Sequence, residues 1–172
     1  MPQHRVFRLL LPVLMTFLVL FPQAAPLSAE RPDPQSEQPR ADYSLAFDAT
    51  RDPARDFDRA LAAAAAHGKR VLVMVGGDWC VWCFLLDRHL RTDAEAARLL
   101  YGEFELLRVY YGEDNTNESF LAEFPSFEMF PHFFVVEADG QVLASVDADV
   151  FIADARYDTG RIRGFAVAWH RH

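Results

Sequence analysis

The chain has no excess of positive charge. Its 172 residues carry 17 Lys and Arg against 25 Asp and Glu, for a net charge of −8. A surface of that sign repels phosphate backbones and anionic membrane faces, which argues against nucleic-acid binding. There is also no apolar run long enough to span a bilayer comfortably, since spanning takes about 20 residues. The N-terminal run, residues 9–21, falls short of that and contains Pro12 and Thr16. No segment repeats. Cysteine is scarce, with only Cys80 and Cys83 present, so none stands near the end of the N-terminal run, where a lipid-anchored lipoprotein would need one. The six histidines are scattered without paired spacing, a poor basis for the four ligands of structural zinc.

What is present at the N-terminus has three parts. His4, Arg5 and Arg8 make a positive start, the apolar run follows, and residues 22–30 (PQAAPLSAE) close on small side chains. This is the layout of a secretory signal peptide over residues 1–29, with cleavage expected after Ala29; an uncleaved anchor is the alternative. Loss of Arg5 and Arg8 takes the charge from −8 to −10 and leaves no segment for stable membrane insertion. Export to the periplasm or beyond places the cysteines where disulfides persist. Residues 30–44, with Pro32, Pro34 and Pro39, lack apolar periodicity and are expected to form an extended linker. Residues 45–172 are expected to form one domain. The chain is 51% hydrophobic with 15 Phe, enough for a well-filled core.

Within that domain, Asp52 and Pro53 mark a helix start, as N-cap and first helical residue. Phe57, Ala60, Leu61 and Ala64 recur at helical spacing, and Gly68 closes the helix. Residues 70–76 (RVLVMVG) form a continuous apolar run, as expected of a strand buried on both faces. A helix is predicted over residues 80–90, then a short one capped by Thr92 or Asp93. Residues 104–111 predict a strand, 118–124 a short helix and 132–137 a strand. A tight turn at residues 138–141 then leads to a hairpin partner over 142–146. Ile162, Phe165, Ala166 and Trp169 mark a last helix, which Gly160 and Gly164 weaken. The early strands alternate with helices, implying parallel crossovers, and the last two form an antiparallel hairpin. The expected class is α/β, a mixed central sheet with helices on both faces.

Cys80 and Cys83 are spaced C-x-x-C, after a buried strand and at the opening of a helix. A disulfide needs its Cα atoms within about 7 Å, a separation the first turn of a helix provides. The unsatisfied N–H groups there, and the positive end of the helix dipole, favour a thiolate at Cys80. Cys80 would attack; Cys83, one turn in and more sheltered, would resolve the mixed disulfide. Three other readings stay open on spacing alone: a structural disulfide, a zinc site, and two unpaired thiols.

From about Asp48 to Trp169 the chain resembles the thioredoxin superfamily. The resemblance rests on the strand VLVMVGG, the motif DWCVWC, the segment FPHFFVVEADGQVL and the final amphipathic helix. Its opening, GKRVLVMVGGDWCVWC, is similar to exported thioredoxin-like proteins related to the C-terminal domain of transmembrane disulfide reductases. The resemblance implies a thioredoxin fold and a cis-proline at Pro131, with Phe130 and Pro131 binding substrate backbone beside Cys80. It implies that Trp79 both walls the site and packs, and that Val81 and Trp82 tune potential and partner choice. Three positions depart from the common pattern. Val81-Trp82 replaces Gly-Pro between the cysteines. Met74 stands where thioredoxins bury an acid, so water or another group must relay protons; Asp78 and Asp87 are the nearest acids and read by default as surface or capping residues. Phe130 is bulkier than the usual residue before the proline. His132 reads as a half-buried strand residue.

The function expected is therefore a thiol–disulfide oxidoreductase for exported proteins, cofactor-free and monomeric. Its partners would be protein thiols and disulfides, with a membrane electron donor as the candidate source of electrons. A redox-inactive thioredoxin-fold binding or chaperone-like module is the alternative.

Overall fold

The computed structural model describes residues 39–171. The expected signal peptide, its cleavage point and residues 30–38 of the expected linker lie outside the described residues.

Asp52 stands just before helix α1 (Pro53–His67), and its carboxylate accepts the N–H groups of Ala54 and Arg55. Pro53 takes the first position, where a missing N–H costs nothing. Gly68 ends the helix in the left-handed region at φ 67°, a conformation that carries no Cβ penalty in glycine. Strand β1 (Arg70–Gly76) is buried at every residue after Arg70, which is why its sequence is uniformly apolar rather than alternating. Helices α2 (Val81–Thr92) and α3 (Ala94–Glu103) meet at Asp93, whose side chain caps α3 through the Ala96 N–H. Strand β2 (Phe104–Tyr110), helix α4 (Glu118–Leu121), and strands β3 (His132–Val136) and β4 (Val142–Asp147) follow. Two short strands, β5 (Ile152–Ala153) and β6 (Arg156–Tyr157), precede helix α5 (Thr159–Ala168), capped by Asp158.

The four main strands run in the order β2-β1-β3-β4. β1 and β2 are parallel, whereas β1–β3 and β3–β4 are antiparallel. Side chains alternate between the two sheet faces. Leu72, Met74, Leu106, Phe133 and Val135 face α2, α3 and α5. Val71, Val73, Val75, Leu107, Phe134 and Val136 face α1 and α4. The sheet is thus mixed, with helices on both faces and the β3–β4 hairpin near the C-terminus, as expected. It has one parallel crossover, from β1 to β2; the loop after α4 returns β3 antiparallel.

Three local features differ from the sequence reading. Asp42–Ser44, expected to end an extended linker, form a 3-10 turn with Tyr43 buried. The Tyr43 hydroxyl donates to Glu105 Oε1 at 2.6 Å, and that contact draws the segment onto the body of the domain. The β5–β6 hairpin turns through Asp154 and Ala155, both at positive φ. Alanine seldom takes that conformation, so no Asn-Gly or Asp-Gly signal marked the turn. In α5, Gly160 and Gly164 are tolerated because burial of Ile162, Phe165 and Ala166 holds the helix, where propensity alone would not. Among the described residues no helix is long and apolar enough to cross a membrane.

Candidate active site

β1 ends at Gly76, and residues 77–79 carry the chain to Cys80 at the N-cap of α2. Cys80 and Cys83 are joined, with an S–S distance of 2.11 Å and Cα atoms 5.2 Å apart. The Cys83 N–H donates to Cys80 Sγ at 3.1 Å, so the outer sulfur itself caps the helix. That contact and the helix dipole favour negative charge on Cys80 once the bond is opened. The expected contrast in shelter is slight, however. Cys80 is 4% exposed and Cys83 2%, and both pack into the core beneath α2. What separates the two sulfurs is the N-cap position of Cys80.

Gly76 is what allows Cys83 to sit there. A Cβ on this residue would stand 2.5 Å from Cys83 Sγ and 3.2 Å from Phe47 Cζ. A glycine at the end of β1 therefore lets the inner sulfur lie against the strand backbone.

The second loop at this end of the sheet carries Phe130 and Pro131, and the bond between them is cis. His132, the next residue, pairs with Val75, so this loop opens beside the one that delivers Cys80. Phe130 packs edge-on against Trp79 at 5.1 Å and stacks on Tyr111 at 5.2 Å, with Phe127 behind it. The Trp79 indole N–H donates to the Tyr111 carbonyl at 2.7 Å, and the Tyr111 N–H donates to the Gly76 carbonyl at 2.7 Å. The bulky residue before the proline is thus one member of a pinned aromatic wall. Trp79, Val81 and Trp82, next to the cysteines in the chain, are exposed, as are Phe84 and Met129. On the far side the Tyr157 hydroxyl donates to the Trp82 carbonyl at 3.0 Å, and its ring meets the Trp82 indole edge-on. Burial, then the carboxylates of Asp87 and Asp149, hold this phenol above its usual range, so it serves as a neutral donor.

Met74, in the place of the expected acid, lies beside a buried cation, Arg108 of β2. Arg108 pairs with Asp87, so Asp87 is neither a free surface group nor a cap. Asp78 is exposed, as read from the sequence. His132 is fully buried rather than half-buried; its ring contacts Asp147 Oδ1 at 2.9 Å and Ser145 Oγ at 2.8 Å. It belongs to the α1 side of the sheet, away from the cysteines, since it alternates with Phe133. Among the described residues no group of His, Cys, Asp and Glu is placed to hold a metal ion.

The sequence reading named Trp79, Cys80, Val81, Trp82, Cys83, Phe130 and Pro131, and the structure gathers these at one end of the sheet. Tyr111, Phe127, Phe84, Met129, Tyr157 and Arg108 join them only in the fold. The aromatic density of FPSFEMFPHFF was a usable signal for Phe127 and Met129; nothing local marks Tyr157 or Arg108.

A family model described as thioredoxin-like matches residues 52–138, just over half of the chain. The chain belongs to the thioredoxin-like family. Among solved structures it is similar to a disulphide isomerase from Xylella fastidiosa Temecula1, with 27% identity and a TM-score of 0.59 over 70% of this chain and 93% of that one. The reduced C-terminal domain of DsbD from Neisseria meningitidis shares the fold at 17% identity and a TM-score of 0.55, over 72% of this chain and 99% of that one. No curated protein sequence matches the chain.

Proposed function

We propose that this protein is an exported thiol–disulfide oxidoreductase that exchanges disulfides with other proteins through Cys80 and Cys83. The observation that carries the reading is the Cys80–Cys83 disulfide at the start of α2, with Cys80 Sγ accepting the Cys83 N–H. A disulfide closing so short a loop constrains the unfolded chain less than a long one would, which favours a redox role over a structural one. The likeness to a solved disulphide isomerase at 27% identity supports the same chemistry.

In the reducing direction, the Cys80 thiolate attacks one sulfur of a substrate disulfide. A mixed disulfide forms and the other substrate sulfur leaves as a thiolate. The Cys83 thiolate then attacks Cys80 Sγ, releasing the second substrate thiol and closing the Cys80–Cys83 bond. Two electrons have passed to the substrate. The reverse sequence oxidises a substrate dithiol. Trp79, Val81, Trp82, Phe84 and Met129 offer the approaching chain apolar surface, and Phe130-Pro131 meets its backbone. Residues 1–29 serve as a cleaved signal peptide, the mature domain works as a monomer outside the cytosol, and a membrane donor returns it to the dithiol.

A Cys83→Ser variant should accumulate mixed disulfides with exported proteins, and Cys80→Ser should not. The unmodified protein should accelerate insulin reduction by dithiothreitol. Absence of both insulin reduction and mixed disulfides would sink the reading. Full cellular function of a double Cys→Ser variant would instead assign the chain to the binding modules, for which the exposed apolar side chains Trp79, Val81 and Trp82 would be the working surface.

A further inference from the structure

We propose that Ser145, His132 and Asp147 form a second catalytic centre, a serine nucleophile with its base and orienting carboxylate, that cleaves short-chain carboxylic esters independently of the cysteines. Strand pairing brings the three together. His132 opens β3 and lies directly across from Asp147 of β4, and Ser145, two residues before Asp147, shares its face of the sheet. That face is the α1 side, whereas Cys80 and Cys83 lie under α2 on the other. His132 Nδ1 stands 2.9 Å from Asp147 Oδ1, and Nε2 stands 2.8 Å from Ser145 Oγ.

The partners fix the proton positions. A carboxylate can only accept, so in the neutral ring the hydrogen sits on Nδ1 and points at Asp147. Nε2 then holds a lone pair, and the Ser145 hydroxyl donates to it. This is the tautomer a general base needs, with a nucleophile on its accepting nitrogen and a carboxylate behind it; such a set is recognised by geometry rather than by order in the chain. Exposure is divided to match. The His132 ring is buried, stacked on Phe127 at 5.1 Å and packed against Phe134 at 4.7 Å, which fixes its orientation. Burial holds it below its ordinary protonation range, so it is neutral and able to accept. Ser145 is exposed, so an ester carbonyl can reach its Oγ. Packing alone does not call for the histidine. The rest of β3 is Phe133, Phe134, Val135 and Val136, all fully buried, and an imidazole among them carries a desolvation cost that an apolar side chain would not.

Ser145 Oγ attacks the acyl carbon as its proton passes to His132 Nε2, and Asp147 stabilises the imidazolium. The bond from the acyl carbon to the leaving oxygen breaks, and that oxygen takes the proton from Nε2. A water molecule, deprotonated by the same nitrogen, then attacks the acyl-serine and restores Ser145. Ester and water become acid and alcohol, with nothing oxidised or reduced. β4 is the outermost strand of its sheet, so N–H groups along its free edge have no strand to bond and are open to the carbonyl oxygen as it gains charge. An open strand edge offers a long acyl chain little to bind, which sets the class as short-chain esters.

The test treats the oxidised protein, whose sulfurs are tied to each other, with a fluorophosphonate probe and maps labelled serines by peptide mass spectrometry; exposed Ser126 is the internal control. General-base assistance is worth about 10²–10⁴-fold, so Ser145 should be labelled at least about 100-fold faster than Ser126. Asp147→Asn, which removes the acceptor that holds the tautomer, should slow labelling of Ser145 at least about tenfold. His132→Gln should bring it to the rate of Ser126. The unmodified protein should release 4-nitrophenolate from 4-nitrophenyl acetate, and Ser145→Ala should lose most of that release. Labelling of Ser145 no faster than of Ser126, an unchanged rate in Asp147→Asn, or 4-nitrophenolate release that Ser145→Ala leaves intact each overturns the proposal. If His132→Gln does not fold, the ratio of Ser145 to Ser126 labelling and the Asp147→Asn rate decide it.

Discussion

Gly76→Ala puts a single methyl group where the inner cysteine now rests. Its Cβ would lie 2.5 Å from Cys83 Sγ, a separation real Cβ atoms do not reach, with Phe47 Cζ close behind at 3.2 Å. In the oxidised protein the sulfur has nowhere to go, because it is tied to Cys80 and fixed by α2. Either the first turn of α2 or the end of β1 has to move. Overpacking of this kind costs about 1–3 kcal/mol. For a domain of this size each kcal/mol lowers the melting temperature by about 3–5 °C. After reduction the Cys83 thiol can rotate about its own side chain and part of the clash is relieved. The variant should therefore lose more stability oxidised than reduced. A difference of about 1.4 kcal/mol between the two losses equals a tenfold shift toward the dithiol. Thermal unfolding followed by circular dichroism, with and without excess dithiothreitol, measures both. An unchanged melting temperature in the oxidised form, or equal losses in the two forms, would refute the reasoning.

Two further expectations concern the scaffold. Burial holds the His132 imidazole below its ordinary value, with Asp147 opposing only in part, so the folded state keeps it neutral where the unfolded chain takes up a proton. The stability this contributes is present above about pH 6.5 and is lost as pH falls from there toward the depressed folded value; His132→Gln should flatten the pH dependence of the melting temperature between about pH 6.5 and 5. Gly164 sits inside α5 with no atom within 4 Å of an added Cβ, so Gly164→Ala should raise stability by up to about 1 kcal/mol in urea denaturation.

Much of this architecture could be read along the chain, because its signals are local. Asp52, Pro53 and Gly68 bracket α1 through capping chemistry that depends only on neighbouring residues. The uniform apolar run of β1 follows from burial on both faces, and the turn before β4 from Gly140 at φ 93°. Cys80, Cys83 and Pro131 could be named because their roles follow from spacing and from likeness to a family. The missed residues act across long sequence separations. Tyr157 reaches Trp82 from 75 positions away, Arg108 reaches Ser44 from 64, and Trp79 reaches the Tyr111 carbonyl from 32. A lone arginine in FELLRVY carries no local mark of its burial or of its partner Asp87 on α2. The burial of His132 is hidden from the local sequence for the same reason, since its partners Ser145 and Asp147 come from the neighbouring strand.

The arrangement around Trp79 and Trp82 has a spectroscopic consequence. Of the three tryptophans in the chain, two flank Cys80 and only Trp169 lies at the far end. A sulfur–sulfur bond is a ready electron acceptor for an excited indole, and the Trp79 ring is held rigidly by the Tyr111 carbonyl and the Phe130 ring. Its emission should brighten when the bond opens. The molecule thereby carries its own optical gauge of oxidation state, and titration against any redox buffer or partner can be followed in real time without a label.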